Sequence, residues 1–358
     1  IPAESLDNAP PSQGKNLIIN GAMQVAQRGT STFTMPSTSA YGLVDRYKFQ
    51  EVSGGAMTVD ISTDVPTGFK NSLKFTVTSA DTDGLDAADR CTMDHRIEGQ
   101  NMTQLAQGTS NATGFTFSFW VKSSITGTFG GAFANSGVSR SYPYTYTINS
   151  ANTWEYKTIS VDGDTTGTWA TDNTTGMFVW FSFGVGSTRS GTAGSWQSAD
   201  YRDATGTVNL IENSGATFYI TGVQLEVGSV ATPFEHRSFG EELAACQRYF
   251  CKSYNYEIAP GASLSVDNLE GANSTAGGTT GTNRPFWAGG PFPVTMRDAP
   301  TVTLYNVDGT TGKITGGSFA KRNGTAVNIG QRSFNVYNNS GATADEDHYC
   351  IFTAQSEL

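Results

Sequence analysis

The chain has 358 residues, with 22 Lys+Arg against 32 Asp+Glu and a formal net charge of −10. Charged residues make up only 15%, below the ~25% usual for soluble domains, and glycine is frequent at 41 residues. This balance argues against nucleic acid, which is held by clustered Lys/Arg, and against anionic membranes; no apolar run reaches the ~18–20 residues of a membrane helix.

The opening, Ile1-Pro-Ala-Glu-Ser, has neither a basic nor an apolar leader region, so no signal peptide is expected, and the absent initiator Met points to a processed product. Residues 1–15 lack periodicity and read as an arm or linker that docks onto a larger particle. From Asn16 to about residue 235, short alternating segments are separated by Gly, Ser, Thr, Asn and Asp. Met57–Ile61 alternates, as does Ser72–Thr78, with Leu73, Phe75 and Val77 on one face. In Phe115–Lys122 the residues Phe115, Phe117, Phe119 and Val121 share a face and Trp120 lies opposite. Phe178–Phe183 and Phe218–Leu225 complete the set. Period-2 patterning with frequent turns predicts an all-β chain with a sandwich over 16–235. A short turn or helix is expected within Asp94–Ala106.

Ser238 to Phe250 carries the clear helix signal. Ser238 and Glu241 form a capping box, Glu241 and Glu242 suit the positive helix end, and Phe239, Leu243, Cys246 and Phe250 mark an apolar stripe. The segment 236–252 is therefore a connecting helix. Residues 253–358 return to β patterning as a small C-terminal domain, an interface or a tip, with strands at Thr301–Tyr305, Ser333–Tyr337 and His348–Ala354 and a long polar loop at Gly261–Gly281.

Cys91, Cys246, Cys251 and Cys350 are scattered without a CxxC pair, and are expected to be reduced and buried. Cys91 and His95 lack the further ligands a zinc site needs. No metal site is expected.

Four segments of the first domain, Asn16–Gly21, Phe115–Lys122, Thr153–Val161 and Phe218–Leu225, together resemble the jelly-roll carbohydrate-binding modules of galactose-binding-like fold. That family often holds a structural calcium near its first strand; Gln24 and the Thr221-Gly222 pair stand at the corresponding places, so no cofactor is expected. A longer series resembles phage tail-fibre and virion adhesion proteins: Asn16–Gly29, Val44-Asp-Arg-Tyr47, Gln224–Arg237, Glu242–Phe250 and Phe292–Thr303. The resemblance implies a virion structural protein, a homotrimeric fibre or spike on tail or capsid, assembled in the host cytoplasm. It also implies attachment to host surface polysaccharide.

Sugar recognition needs aromatic planes beside amides and carboxylates. Trp169, Trp196 with Tyr201, and Phe286-Trp287 sit in polar, loop-like sequence and are the candidate carbohydrate-binding residues; the same rings could instead cover core edges or fill subunit interfaces. Trp120, Trp154 and Trp180 lie in strand patterns and are expected to pack in the core. Two alternatives stand beside the adhesin. One is a purely structural knob or fibre. The other is a polysaccharide depolymerase, for which Asp94, Glu98, Asp200 and Asp203 are the available carboxylates. With no nucleophile elbow, His-centred triad or HExxH stretch, the chain is not expected to be an enzyme.

Overall fold

The computed structural model describes residues 15–264, 273–276, 285–286, 290–316, 320–337 and 347–358. Nearly all of the arm expected at 1–15 lies outside the described residues.

Two six-stranded antiparallel sheets stack face to face as a jelly-roll β-sandwich. Sheet 1 runs in the order β1 (Phe33–Thr34), β4 (Ala56–Ser62), β5 (Ser72–Ser79), β14 (Thr217–Val227), β7 (Phe115–Ser123) and β10 (Glu155–Val161). Sheet 2 runs β2 (Ala40–Tyr41), β3 (Tyr47–Val52), β6 (Arg90–Glu98), β11 (Thr175–Val185), β8 (Gly127–Asn135) and β9 (Ser141–Ile148). A short parallel pair, β12 (Ser190–Gly191) and β13 (Asp203–Ala204), belongs to a segment beside sheet 2.

The alternation seen in the sequence sets the inner faces. Phe117 lies at 5.2 Å from Phe133, 5.4 Å from Phe181 and 5.7 Å from Tyr144, ring centroid to ring centroid, so one strand of sheet 1 touches three of sheet 2. Each such side chain contributes roughly 1.5–3 kcal/mol by leaving water, and that burial fixes which residues must point out. The segment Asp94–Ala106 is β6 as far as Glu98, followed by a 3-10 turn at Gly99–Leu105. Cys91, Met93, His95 and Ile97 are all buried on β6. His95 rests edge-on to Tyr47 and bonds the Ile19 backbone, and burial holds its pKa well below the ordinary imidazole value.

The helix α1 spans Phe239–Gln247 with the expected capping box at Ser238 and Glu241. Its buried side differs from the expected stripe. Glu242 and Cys246 are buried, whereas Phe239 is 44% exposed. The reason is polar: Glu242 accepts the Asn20 backbone N–H at 2.5 Å, which turns that side of the helix to the sandwich.

Beyond it, β15 (Phe250–Lys252), β16 (Asn273–Ala276), β18 (Thr301–Tyr305) and β19 (Lys313–Thr315) pair with β23 (Asp347–Gln355), and β20 (Lys321–Asn323) extends β19. A second small sheet holds β17 (Pro285–Phe286), β22 (Asn335–Tyr337) and β21 (Thr325–Val327). The strand β16 falls inside the segment expected as a loop; main-chain pairing with β23 needs no apolar side chain there. A separate core of Cys251, Phe292, Met296, Leu304, Phe334 and Phe352 supports this region. All four cysteines are buried and unpaired.

A buried polar junction joins the two regions. Arg28 bridges Asp45 and Glu357 at 2.9 Å each, and Arg46 pairs with Glu357 while its guanidinium lies 3.5 Å from the Tyr249 ring centroid. Glu98 takes Arg248 at 2.6 Å and the Tyr249 hydroxyl at 2.6 Å. Burial pushes the Asp45 carboxyl up to about 6 despite Arg28 and Gln27. Removing one member of such a buried pair costs about 3–5 kcal/mol.

Candidate functional site

Two of the rings singled out in the sequence, Trp169 and Trp196, close one edge of the sandwich. Trp169 is 9% exposed and donates from Nε1 to the Thr166 carbonyl at 3.3 Å. Trp196 is half-buried; it lies 5.3 Å from Trp169 and 5.4 Å from Tyr142, and its Nε1 donates to the Asp162 carbonyl at 2.7 Å. Gln197 bridges to Ser141 by two backbone bonds, so this segment spans from β9 to the chain just beyond β10 and covers the gap between the sheet edges. Tyr201 sits instead against Gly191, where a Cβ would strike its ring. The expected exposed platform is therefore corrected for Trp169, whose indole is part of the core wall. Trp287 lies outside the described residues.

Carboxylates weighed for hydrolysis have structural partners. Asp94 pairs with Arg96 at 2.9 Å, and Glu98 belongs to the junction. Asp200 pairs with Arg202 at 3.3 Å and with Arg189. Asp203 accepts the Ala204 N–H and the Thr207 hydroxyl, each at 2.7 Å. Thr221 donates its hydroxyl to the Asn71 carbonyl, and Gly222 has no side chain, so neither position supplies a carboxylate for a cation. Among the described residues no group of three or more His, Cys, Asp or Glu side chains could hold a metal ion.

Two of the strand tryptophans depart from expectation: Trp120 and Trp154 are half-buried and outside the core between the sheets, whereas Trp180 is buried as expected, in a small separate core with Ala132 and Ala134. Period 2 explains this, because Phe115, Phe117, Phe119 and Val121 take the inner positions of β7 and send Trp120 and Lys122 outward. Trp180 is likewise on the outer side of sheet 2, stacked on Phe178 at 4.8 Å and 6°.

On sheet 1 the outward residues form a continuous aromatic face. Register sets Tyr156 opposite Trp120, and Lys122, Tyr219, Lys74 and Asp60 side by side across β7, β14, β5 and β4. The Trp120 and Tyr156 rings lie 5.3 Å apart, and Tyr156 is 41% exposed. Trp154, just before β10, lies 6.2 Å from Tyr219, and the Lys122 amine stands between them, 5.3 Å from the first ring and 4.3 Å from the second. Asp64 accepts the Trp154 indole N–H at 3.0 Å and pairs with Lys122; the Lys122 bond, ahead of the indole, holds its carboxyl below the usual range.

Gly222 extends this face. It sits at a register shift in β14 with φ +63, and a Cβ there would come within 2.6 Å of Phe69 and 3.1 Å of Trp120. Those two rings thus close over the glycine, and Phe69 continues into Phe234 at 5.1 Å and His236 at 5.2 Å. The arrangement offers broad ring surfaces for C–H faces, with an amine and a carboxylate between them for hydroxyls. The outward alternation in Phe115–Lys122 was the signal that could have located it.

No protein-family model matches the chain, and no curated protein does. Solved structures similar to it include the enzymatically active domain of tailspike protein 4 from bacteriophage CBA120, at 13% identity and TM-score 0.32, over 60% of this chain and 22% of that one. The chain thus spans about a fifth of that tailspike chain. A putative sugar binding protein from Bacteroides thetaiotaomicron is similar at 11% identity and TM-score 0.35, over 60% of this chain and 100% of that one. The tandem CBM22-1–CBM22-2 domain of Paenibacillus barcinonensis Xyn10C is similar at 10% identity and TM-score 0.29, over 98% of this chain and 100% of that one.

Proposed function

We propose that the chain binds a surface glycan of a bacterial host on the aromatic face of sheet 1, without a chemical step. The observation that carries this reading is the open row of Trp120, Tyr156, Trp154 and Tyr219, interleaved with Lys122 and Asp64. A shallow sheet face of this kind binds each sugar weakly, so a multivalent assembly is the natural setting. We place the chain in a virion fibre or spike, as a homotrimer held to other virion proteins through its N-terminal arm; the motif series from Asn16 to Thr303 supports this. The separate partners of Asp94, Glu98, Asp200 and Asp203 support binding over hydrolysis.

The test is an array of bacterial surface glycans probed with the purified chain, with glycan length read after incubation and assembly mass measured alongside. Binding with unchanged length and a trimeric mass is expected. Shortened glycan would replace the adhesin with a depolymerase, and an array that stays silent would leave a purely structural virion protein.

A further inference from the structure

The outer face of sheet 2 carries a cluster of cations that no stretch of the sequence shows. Arg90 and Arg96 come from β6, Lys48 from β3, Arg189 from the turn Ser187–Arg189, and Arg202 from the segment before β13. Register places Lys48 opposite Asp94, Asp94 opposite Trp180, and Arg96 opposite Phe178. The Arg96 guanidinium lies 4.7 Å from the Phe178 ring centroid, and that of Arg202 lies 5.0 Å from the Trp180 centroid. The Arg202 backbone N–H donates to the Arg189 carbonyl at 2.7 Å, which fixes these two arginines side by side.

Charge at this face does not balance. Asp94 is taken by Arg96, which also donates to the Leu358 carbonyl at 2.5 Å. Arg189 and Arg202 share the single carboxylate of Asp200. Among the described residues Arg90 donates to the neutral Gln50 side chain at 2.9 Å and to the Ala88 carbonyl at 3.3 Å. The Nε of Arg189 is buried and has no hydrogen-bond partner among the described residues. Burial first, and then the neighbouring arginines, lower the pKa of both Arg90 and Arg189. Asp89 and Asp94 lie close enough to act on Arg90 and Arg202, yet among the described residues no carboxylate bonds Arg90, and the neighbouring guanidiniums still repel one another. An added anion at the exposed ends of these guanidiniums would offset that repulsion.

We infer that Arg90, Arg189 and Arg202 form a binding site for an oxyanion (carboxylate, sulfate or phosphate) carried by an acidic glycan. Guanidiniums are suited to this because each presents a planar fork of donors to such groups. Arg90 on β6 and Arg202 over Trp180 of β11 stand on neighbouring strands, about 5 Å apart at the usual spacing, with Arg189 beside Arg202; several fixed charges side by side suit repeated charge along a chain. The site is on the opposite side of the sandwich from the aromatic face and does not depend on it.

The experiment titrates the full chain with galacturonate oligomers at low salt, following Trp180 by fluorescence, with inorganic sulfate as a second probe. Saturable oligomer binding is expected. It should weaken about tenfold or more in Arg189→Gln and in Arg202→Gln, fall with added salt, and stay unchanged in Trp154→Ala. Arg90→Gln serves as a further variant if either of the first two loses its native melting transition. No oligomer binding, binding unmoved by the arginine variants, or sulfate alone binding as tightly as the oligomer (an adventitious ion only) would overturn the inference.

Discussion

The two outer faces of the sandwich use the same ingredients with different exposure of the rings. On sheet 1 the Lys122 amine lies over the half-buried Trp154 and Tyr219 rings, and Tyr156 beside Trp120 is 41% exposed. On sheet 2, Arg202 and Arg96 lie over Trp180 and Phe178, so the rings become a floor and the guanidiniums become the surface; Trp180 is 3% exposed. Lysine is a compact charge on a flexible stem, whereas a guanidinium is a plane that stacks. On the proposed reading the first face offers ring surface to neutral sugars and the second offers donors to anions.

The largest expected effect lies with the carboxylate that anchors the segment beside sheet 2. Asp203 is buried, and burial, outweighing its bonds from Ser182, Thr207 and Ala204, pushes its carboxyl up from 3.8 to about 6. A folded pKa above the unfolded one means that the native state binds the proton more readily between those values. The stabilising contribution is complete below about pH 4 and is lost as pH rises through about 6, on the order of 3 kcal/mol for two pKa units. In urea melts at pH 4.5, 6 and 7.5, Asp203→Asn should remove this fall, read as the difference between wild type and variant. Equal slopes for the two proteins would show that the carboxylate is not responsible.

A pair of glycines separates the two faces further. Gly130 lets Asp203 approach sheet 2, and an added Cβ would meet that carboxylate and come within 2.6 Å of the Tyr144 carbonyl. Gly130→Ala should destabilise by about 2 kcal/mol and disturb Trp180 fluorescence. Gly222→Ala should cost about 1–2 kcal/mol from its positive φ and the Phe69 contact, while leaving the sheet 2 signal unchanged. Coupled losses on both faces from either variant would mean that the faces are not independent.

Much of the sandwich was legible because its inner positions alternate without interruption, as in Phe115–Lys122 and Ser72–Thr78. The helix start was legible from Ser238 and Glu241, because a capping box is a local signal. The motif series has its own structural reason. Asn20 spends its side chain on the Val25 and Asp45 carbonyls and on the Gln24 and Val25 N–H groups, and Arg28, Asp45, Arg46, Arg248 and Tyr249 build the junction. What the sequence left hidden was the direction of rings relative to solvent. Loop-like surroundings suggested exposure for Trp169, yet its ring packs on Trp196 and Gly108 and joins the core between the sheets; strand surroundings suggested burial for Trp120, yet period 2 sends it out. The arginine face was invisible because Arg90, Arg189 and Arg202 come from distant segments, and no linear cluster marks them.

The central claim is that the open rings of sheet 1, and not the edge rings, hold the glycan. The direct measurement is affinity for a glycan bound by the wild-type chain, compared across Trp154→Ala, Tyr156→Ala and Trp196→Ala, each checked for an intact melting transition. The first two should weaken binding about tenfold, as loss of a ring contact of about 1–1.5 kcal/mol would, while Trp196→Ala lowers stability and leaves affinity unchanged. Full affinity in Trp154→Ala and Tyr156→Ala, with binding lost in a folded Trp196→Ala, would contradict it.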